Sequence, residues 1–352
     1  MTIAGKRCQR VSAGLFVALS ALFLSACGGG SDFGGSVPAG VAPEPQATAS
    51  NTHVRRRALS YDRKGVTAIV VAPGGNTIGV ANSDGRVSLM DGSGALEIRM
   101  LKPDGSAASS GLIFSADGRY LVTVGRDSVA QVWSVETGEP RLTLRGHESA
   151  LRSVAASADG SLIATGGEET RVMLWDGTTG RLKRSFTGNT DFVNSVSLSR
   201  DGALLASGDA AARILIWDTA TGRLLHTFLG HSNEVNAVAF SADGKLLASA
   251  GEDGKVFLWD VTTGLQVQRL EGQHVAVRTL TFSADGGLLG SGAVDGKVVV
   301  WDMTARSVVQ DTAGSTGAVN AIAFNGRDSS QLLVGSDENR VRSLNVSRSA
   351  AR

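Results

Sequence analysis

From about residue 55 to residue 346, apolar positions fall in short clusters separated by polar turns, and the same arrangement returns every 42 residues. The stretch from Gly230 to Gly264 shows it most completely. Residues 235–240, 246–250 and 256–259 are almost continuously apolar or small, as expected of strands covered on both faces. Residues 265–269 alternate apolar and polar instead, which predicts an outer strand with one wetter face. Between them stand Asp243-Gly244, Asp253-Gly254 and Thr263-Gly264, each with glycine where a tight turn needs a positive φ. The pattern predicts a chain built from units of four short antiparallel strands.

All five tryptophans mark this period: Trp133, Trp175, Trp217, Trp259 and Trp301 are spaced by 42. One further step of 43 in each direction reaches Met90 and Leu344, inside degraded copies, so the count is seven. Gly-His pairs stand at Gly146-His147 and Gly230-His231, and Trp-Asp pairs at Trp175-Asp176, Trp217-Asp218, Trp259-Asp260 and Trp301-Asp302. A 42-residue period with these pairs resembles the WD40 repeat, whose unit is a four-stranded propeller blade. The resemblance implies an all-β, seven-bladed WD40-type β-propeller over residues 55–346, in which blade-to-blade cores let one large domain form. The seventh copy runs from Val319 to Val346 and lacks an outer strand, whereas Arg57-Ala58-Leu59-Ser60-Tyr61 aligns with the outer strand Arg141-Leu142-Thr143-Leu144-Arg145. This N-terminal strand is expected to complete the last blade and close the ring, leaving 347–352 as a tail.

The resemblance also implies a hydrogen-bonded tetrad, complete in the fifth copy as His231, Ser249, Asp253 and Trp259. The third copy has His147, Thr165 and Trp175 with Glu169 at the aspartate position. The fourth has Asn189, Ser207 and Trp217 with Ala211 there, and the sixth has Gln273, Ser291, Asp295 and Trp301. These polar groups read as scaffolding, because a buried indole N–H needs a partner and no G-x-S-x-G elbow points to a hydrolase. The recurrent Asp-Gly turns at Asp117, Asp159, Asp201, Asp243 and Asp285 read as turn chemistry rather than calcium ligation. No cofactor, metal or catalytic residue is predicted.

In the family the residue after the first valine of each blade faces the channel mouth. By register these are Thr67, Ser110, Arg152, Asn194, Asn236, Arg278 and Asn320, a set without an evident general base, able to hold an anion between Arg152 and Arg278. A second ring comprises Ser83, Arg126, Glu168, Ala210, Glu252 and Val294, and Phe192 stands in the register of Glu234 as a solvent-facing aromatic. Arginines and aromatics dominate interface energetics. The candidate partner-binding residues are therefore Arg152, Phe192, Asn194, Asn236, Arg278, Asn320, Glu168 and Glu252. They imply a non-enzymatic platform that docks a protein or peptide; the alternative is a propeller enzyme or small-ligand binder using the same channel.

The N-terminus changes the picture of where this domain works. Lys6, Arg7 and Arg10 precede an apolar run over residues 11–24, the form of a secretory signal and too short to span a bilayer comfortably. It ends Leu24-Ser25-Ala26-Cys27, which resembles the bacterial lipobox and implies a signal peptide of residues 1–26 and a lipid on Cys27. Residues 27–54, rich in Gly, Ser, Pro and Ala, are expected to be a disordered tether of about 90 Å when fully extended. Cys8 is the other cysteine, so no disulfide framework exists. Losing the three basic residues of the signal takes the formal net charge from +1 to −2, a balance that does not suggest nucleic acid. Gly28, rather than aspartate, follows the cysteine. The expected location is the bacterial cell envelope, with membrane attachment through Cys27, the outer membrane favoured over the inner, and the domain facing the periplasm.

Overall fold

The computed structural model describes Leu59 and Ser60, then residues 65–94, 96–101, 109–312, 317–326, 328–338 and 340–347. The expected signal, Cys27, the tether and residues 348–352 lie outside the described residues. Within them the strands form seven antiparallel four-stranded sheets, at 66–101, 109–144, 151–187, 193–229, 235–270, 277–311 and 319–345 together with 59–60, arranged as the blades of a propeller. In the fifth blade the strands are Val235–Phe240, Leu246–Gly251, Val256–Asp260 and Gln266–Leu270, within a residue of the expected bounds. Its three turn glycines take φ of +70, +72 and +76° at Gly244, Gly254 and Gly264. Three other blades break that rule: Ser128 holds φ +58° and Ala212 +65° at the register of Gly254, and Arg306 holds +52° at the register of Gly264.

The apolar interior is divided into seven clusters, each joining neighbouring blades. One unites Val172, Leu174 and Phe186 of blade three with Val193, Leu205 and Trp217 of blade four. Another unites Val66, Ile78 and Met90 of blade one with Ala321, Leu333 and Val341 of blade seven, which closes the circle. Burial of each such side chain contributes about 1.5–3 kcal/mol. Close approach at these seams requires small residues on the second strand. A Cβ on Gly292 would stand 2.3 Å from Val319 Cγ1, and one on Gly208 2.5 Å from Val235 Cγ1.

Closure uses the N-terminal strand, but in a register one residue away from the expected alignment. Leu59 pairs with Val341 and Ser60 with Arg340. The equivalent pairs are Ala130 with Leu144 in blade two and Val256 with Leu270 in blade five. Leu59 therefore holds the position of Leu144, not that of Thr143. The physical reason lies in what this position does elsewhere: Leu101, Leu144, Phe186, Phe228 and Leu270 are all buried there. Two-residue periodicity makes such a slip consequential, because it exchanges the two faces of a strand.

The tetrads are complete in two blades and only partly satisfied in others, where Asn189 Nδ2 and Gln273 Oε1 are buried without a hydrogen-bond partner. In blade five Trp259 Nε1 donates to Ser249 Oγ at 2.8 Å; His231 bonds Ser249 at 2.8 Å and Asp253 at 3.0 Å. Blade three makes the same chain through Trp175, Thr165, His147 and Glu169, with Glu169 also paired to Arg171 at 2.8 Å. A register irregularity between Gly166 and Gly167 accompanies the longer acidic side chain. In blade four Ser207 Oγ donates to Asn189 Oδ1 at 2.8 Å, and Asp209, two residues before Ala211, replaces the missing carboxylate only toward the turn. It accepts from Thr190 N and Arg213 N as Asp253 accepts from Ser232 N and Lys255 N, and it pairs with the Arg213 side chain. In blade six Gln273 replaces histidine on Ser291, and Trp301 donates to the Glu271 carbonyl instead.

Candidate functional site

The innermost strand of every blade carries a register shift one residue after its start. The ladder passes from Val66 to Ala68, Ser109 to Gly111, Leu151 to Ser153, Val193 to Ser195, Val235 to Ala237, Val277 to Thr279 and Val319 to Ala321. The skipped residues are Thr67, Ser110, Arg152, Asn194, Asn236, Arg278 and Asn320, the whole first ring. A bulge takes one residue out of the pairing and re-aims its side chain. Repeated seven times, it turns seven side chains into one open funnel of about 600 Å³. Ser83, Ser109, Arg126, Glu252 and Asp337 complete the lining.

The ring is knit from blade to blade. Thr67 Oγ1 donates to the Ser109 carbonyl at 2.7 Å, Asn194 to Val235 O at 3.3 Å, Asn236 to Val277 O at 3.0 Å and Asn320 to Val66 O at 3.0 Å. Where arginine stands, it reaches the next ring residue: Arg152 Nη1 to Asn194 Oδ1 at 2.7 Å, and Arg278 Nη1 to Asn320 Oδ1 at 2.6 Å. The asparagines thus serve the ring itself before any partner.

Of the expected binding residues, the structure brings Arg152, Asn194, Asn236, Glu252, Arg278 and Asn320 to the funnel. Glu168 and Phe192 flank it through Arg152. Arg152 Nη2 donates to Glu168 Oε1 at 3.1 Å, and its guanidinium lies 5.1 Å from the Phe192 ring centroid. Phe192 keeps 42% of its surface exposed, so it is not packed under its own loop. Because Arg152 already has a carboxylate, the anion cradle expected between Arg152 and Arg278 is occupied on one side by the protein itself. Sequence comparison also left the second ring one residue short. Asp337, in the degraded seventh copy with its 43-residue step, fills the missing place and accepts from Asn320 Nδ2 at 2.6 Å.

The turn aspartates face the opposite end of the blades and are held by their own turns. Asp117 accepts from Ser115 Oγ at 2.6 Å and Arg119 N at 3.0 Å, and Asp159, Asp201 and Asp243 repeat the pattern. The serine hydroxyl is the main reason all four carboxyls lie below the ordinary value of 3.8. Among the described residues no group of three or more His, Cys, Asp or Glu is placed to hold a metal ion.

Comparison with known proteins supports the repeat. The WD domain, G-beta repeat, matches residues 102–134, 138–176, 180–218, 222–260 and 264–302, more than half of the chain. The chain belongs to the WD40 repeat family. WD40 propellers are generally non-enzymatic scaffolds and commonly bind protein partners. From the second onward, each WD40 match begins at the turn glycine just before the outer strand of one blade and ends with the third strand of the next. This offset is why the last blade borrows a strand from the N-terminal side. The chain is also similar to the nuclear distribution protein nudF of Emericella nidulans, at 33% identity over 69 residues. That match covers 20% of this chain and 16% of nudF.

Proposed function

We propose that this WD40 protein is a non-enzymatic interaction platform of the bacterial cell envelope, attached to the membrane by lipid on Cys27, which docks a protein or peptide on its funnel face. The observation that carries the reading is the sevenfold bulge, which spends the same irregularity in every blade to direct polar side chains at one opening. The funnel lining contains no large apolar side chain. Small-molecule sites are mostly apolar and enclosed, so an open polar mouth suits a macromolecular partner better. The lipobox resemblance at 24–27 supports the anchor, and the outer membrane is the proposed location because Gly28 replaces aspartate.

Two measurements test the reading. Membranes solubilised in detergent are incubated with the full-length protein and with an Arg152→Ala, Phe192→Ala, Arg278→Ala triple variant. Loss of specific proteins from the variant's captured set is expected; an identical set removes this face from the proposal. Cys27→Ser is expected to move the protein from the membrane to the soluble fraction, and unchanged membrane association would sink the anchor.

A further inference from the structure

Comparison of the blades with one another shows which cations at the funnel are uncommitted. In three blades the ring residue bonds a carboxylate of its own blade: Arg152 with Glu168 at 3.1 Å, Asn236 with Glu252 at 2.9 Å and Asn320 with Asp337 at 2.6 Å. In blade two the same two positions hold Ser110 and Arg126, so the sign at the carboxylate position is reversed. Arg126 is exposed and, among the described residues, makes no ion pair or side-chain hydrogen bond. In blade six the partner position is Val294, so Arg278 has no carboxylate there. Its side-chain bond from Nη1 to Asn320 Oδ1 at 2.6 Å steadies the guanidinium and leaves its remaining N–H groups to face the funnel.

Resting on the platform reading above, we infer that the funnel recognises an extended acidic peptide segment, whose carboxylates pair with Arg126 and Arg278. The two arginines stand in blades two and six, nearly across a seven-membered ring from each other, so two separated carboxylates satisfy them better than one small anion. Guanidinium and carboxylate match as planar, bidentate groups. Glu252 and Asp337 on the same lining repel a dense polyanion, which selects a segment with spaced acids. Arg152 takes no direct part, because Glu168 neutralises it and Phe192 covers it.

The test uses the full-length protein and a fluorescein-labelled peptide of alternating glutamate and serine, eight residues long, followed by anisotropy at low salt, with an alternating lysine and serine peptide as control. Saturable binding of the acidic peptide is expected, weakened about tenfold in the Arg126→Ser, Arg278→Ser double variant, the size expected of two partly exposed charge pairs. Glu168→Gln is expected to tighten binding several-fold by releasing Arg152, a gain that misfolding cannot produce. Acidic-peptide binding no stronger than that of the control, or unaltered by the double variant, overturns the inference. Displacement of the peptide by an equal concentration of inorganic phosphate would assign the funnel to phosphate and overturn it too. A photocrosslinking residue at position 110 separates the two levels. Partner capture from membranes that persists without both arginines sinks the acidic ligand and spares the platform, whereas no capture counts against both.

Discussion

Asp209 and Arg213 form the one ion pair of blade four whose carboxylate is wholly enclosed: Arg213 Nη2 lies 3.0 Å from Asp209 Oδ2, with the aspartate side chain at 0% exposure. The other oxygen accepts from Ala211 N at 3.0 Å and Arg213 N at 2.9 Å, tying the turn that Ala212 strains. Removing one member of such a buried pair typically costs about 3–5 kcal/mol. Asp209→Ala is therefore expected to lower the urea midpoint more than Arg213→Ala, because the aspartate keeps its backbone donors when the arginine is lost. Unfolding followed by tryptophan fluorescence measures both; equal losses would show that the turn bonds contribute nothing.

Ala212 and Arg306 occupy left-handed backbone at places where sister blades use glycine. The left-handed region costs an L-residue about 1–2 kcal/mol, and glycine returns part of that gain as chain entropy. Ala212→Gly and Arg306→Gly are each expected to stabilise by roughly 0.5–1 kcal/mol. Thermal melts of the single and double variants check this, with additivity expected because the sites lie in different blades.

Stability should fall with acid in two stages. Burial pushes the His231 and His147 imidazoles below their ordinary 6.5, against the pull of Asp253 and Glu169. The unfolded chain then takes up protons that the folded chain refuses, so stability declines as pH drops through 6.5. The turn aspartates behave oppositely in origin: held below 3.8 by serine hydroxyls, they stabilise fully above that value and lose the contribution as pH falls through their folded values. Melting temperature against pH is expected to bend first near 6.5. A His147→Gln, His231→Gln variant should lose that first bend, since Gln273 already plays the histidine's part on Ser291 in blade six.

Ring closure makes a fourth prediction. Leu59 and Ser60 pair with the last strand of blade seven, which otherwise presents an edge. Deleting residues 55–62 is expected to lower the melting temperature sharply, and Leu59→Asp to reproduce much of the loss. An unchanged melting temperature in both would sink the closing role.

The period of 42, the turn glycines and the in-phase tryptophans made the fold readable because each blade repeats the same local chemistry. Ring positions were readable for the same reason, by counting from one copy to the next. Counting failed where a group acts out of register. Asp209 replaces a carboxylate from two residues away, Gln273 replaces a histidine, and Asp337 sits behind a 43-residue step. The register of Leu59 needed its partner strand, since an isolated five-residue segment aligns almost as well one residue over.

What the sequence by itself determined is the repeated unit, its strand order and the seven ring positions, because turn chemistry and apolar patterning act over a few residues. Which ring charges are already spent was decided only by tertiary structure. Arg152 and Arg278 are the same residue at the same register and each bonds the next ring asparagine, yet Arg152 also meets Glu168 and Phe192, whereas the position opposite Arg278 is Val294. Pairing depends on neighbours brought together by bulges and blade contacts, and those distances are a property of the folded ring.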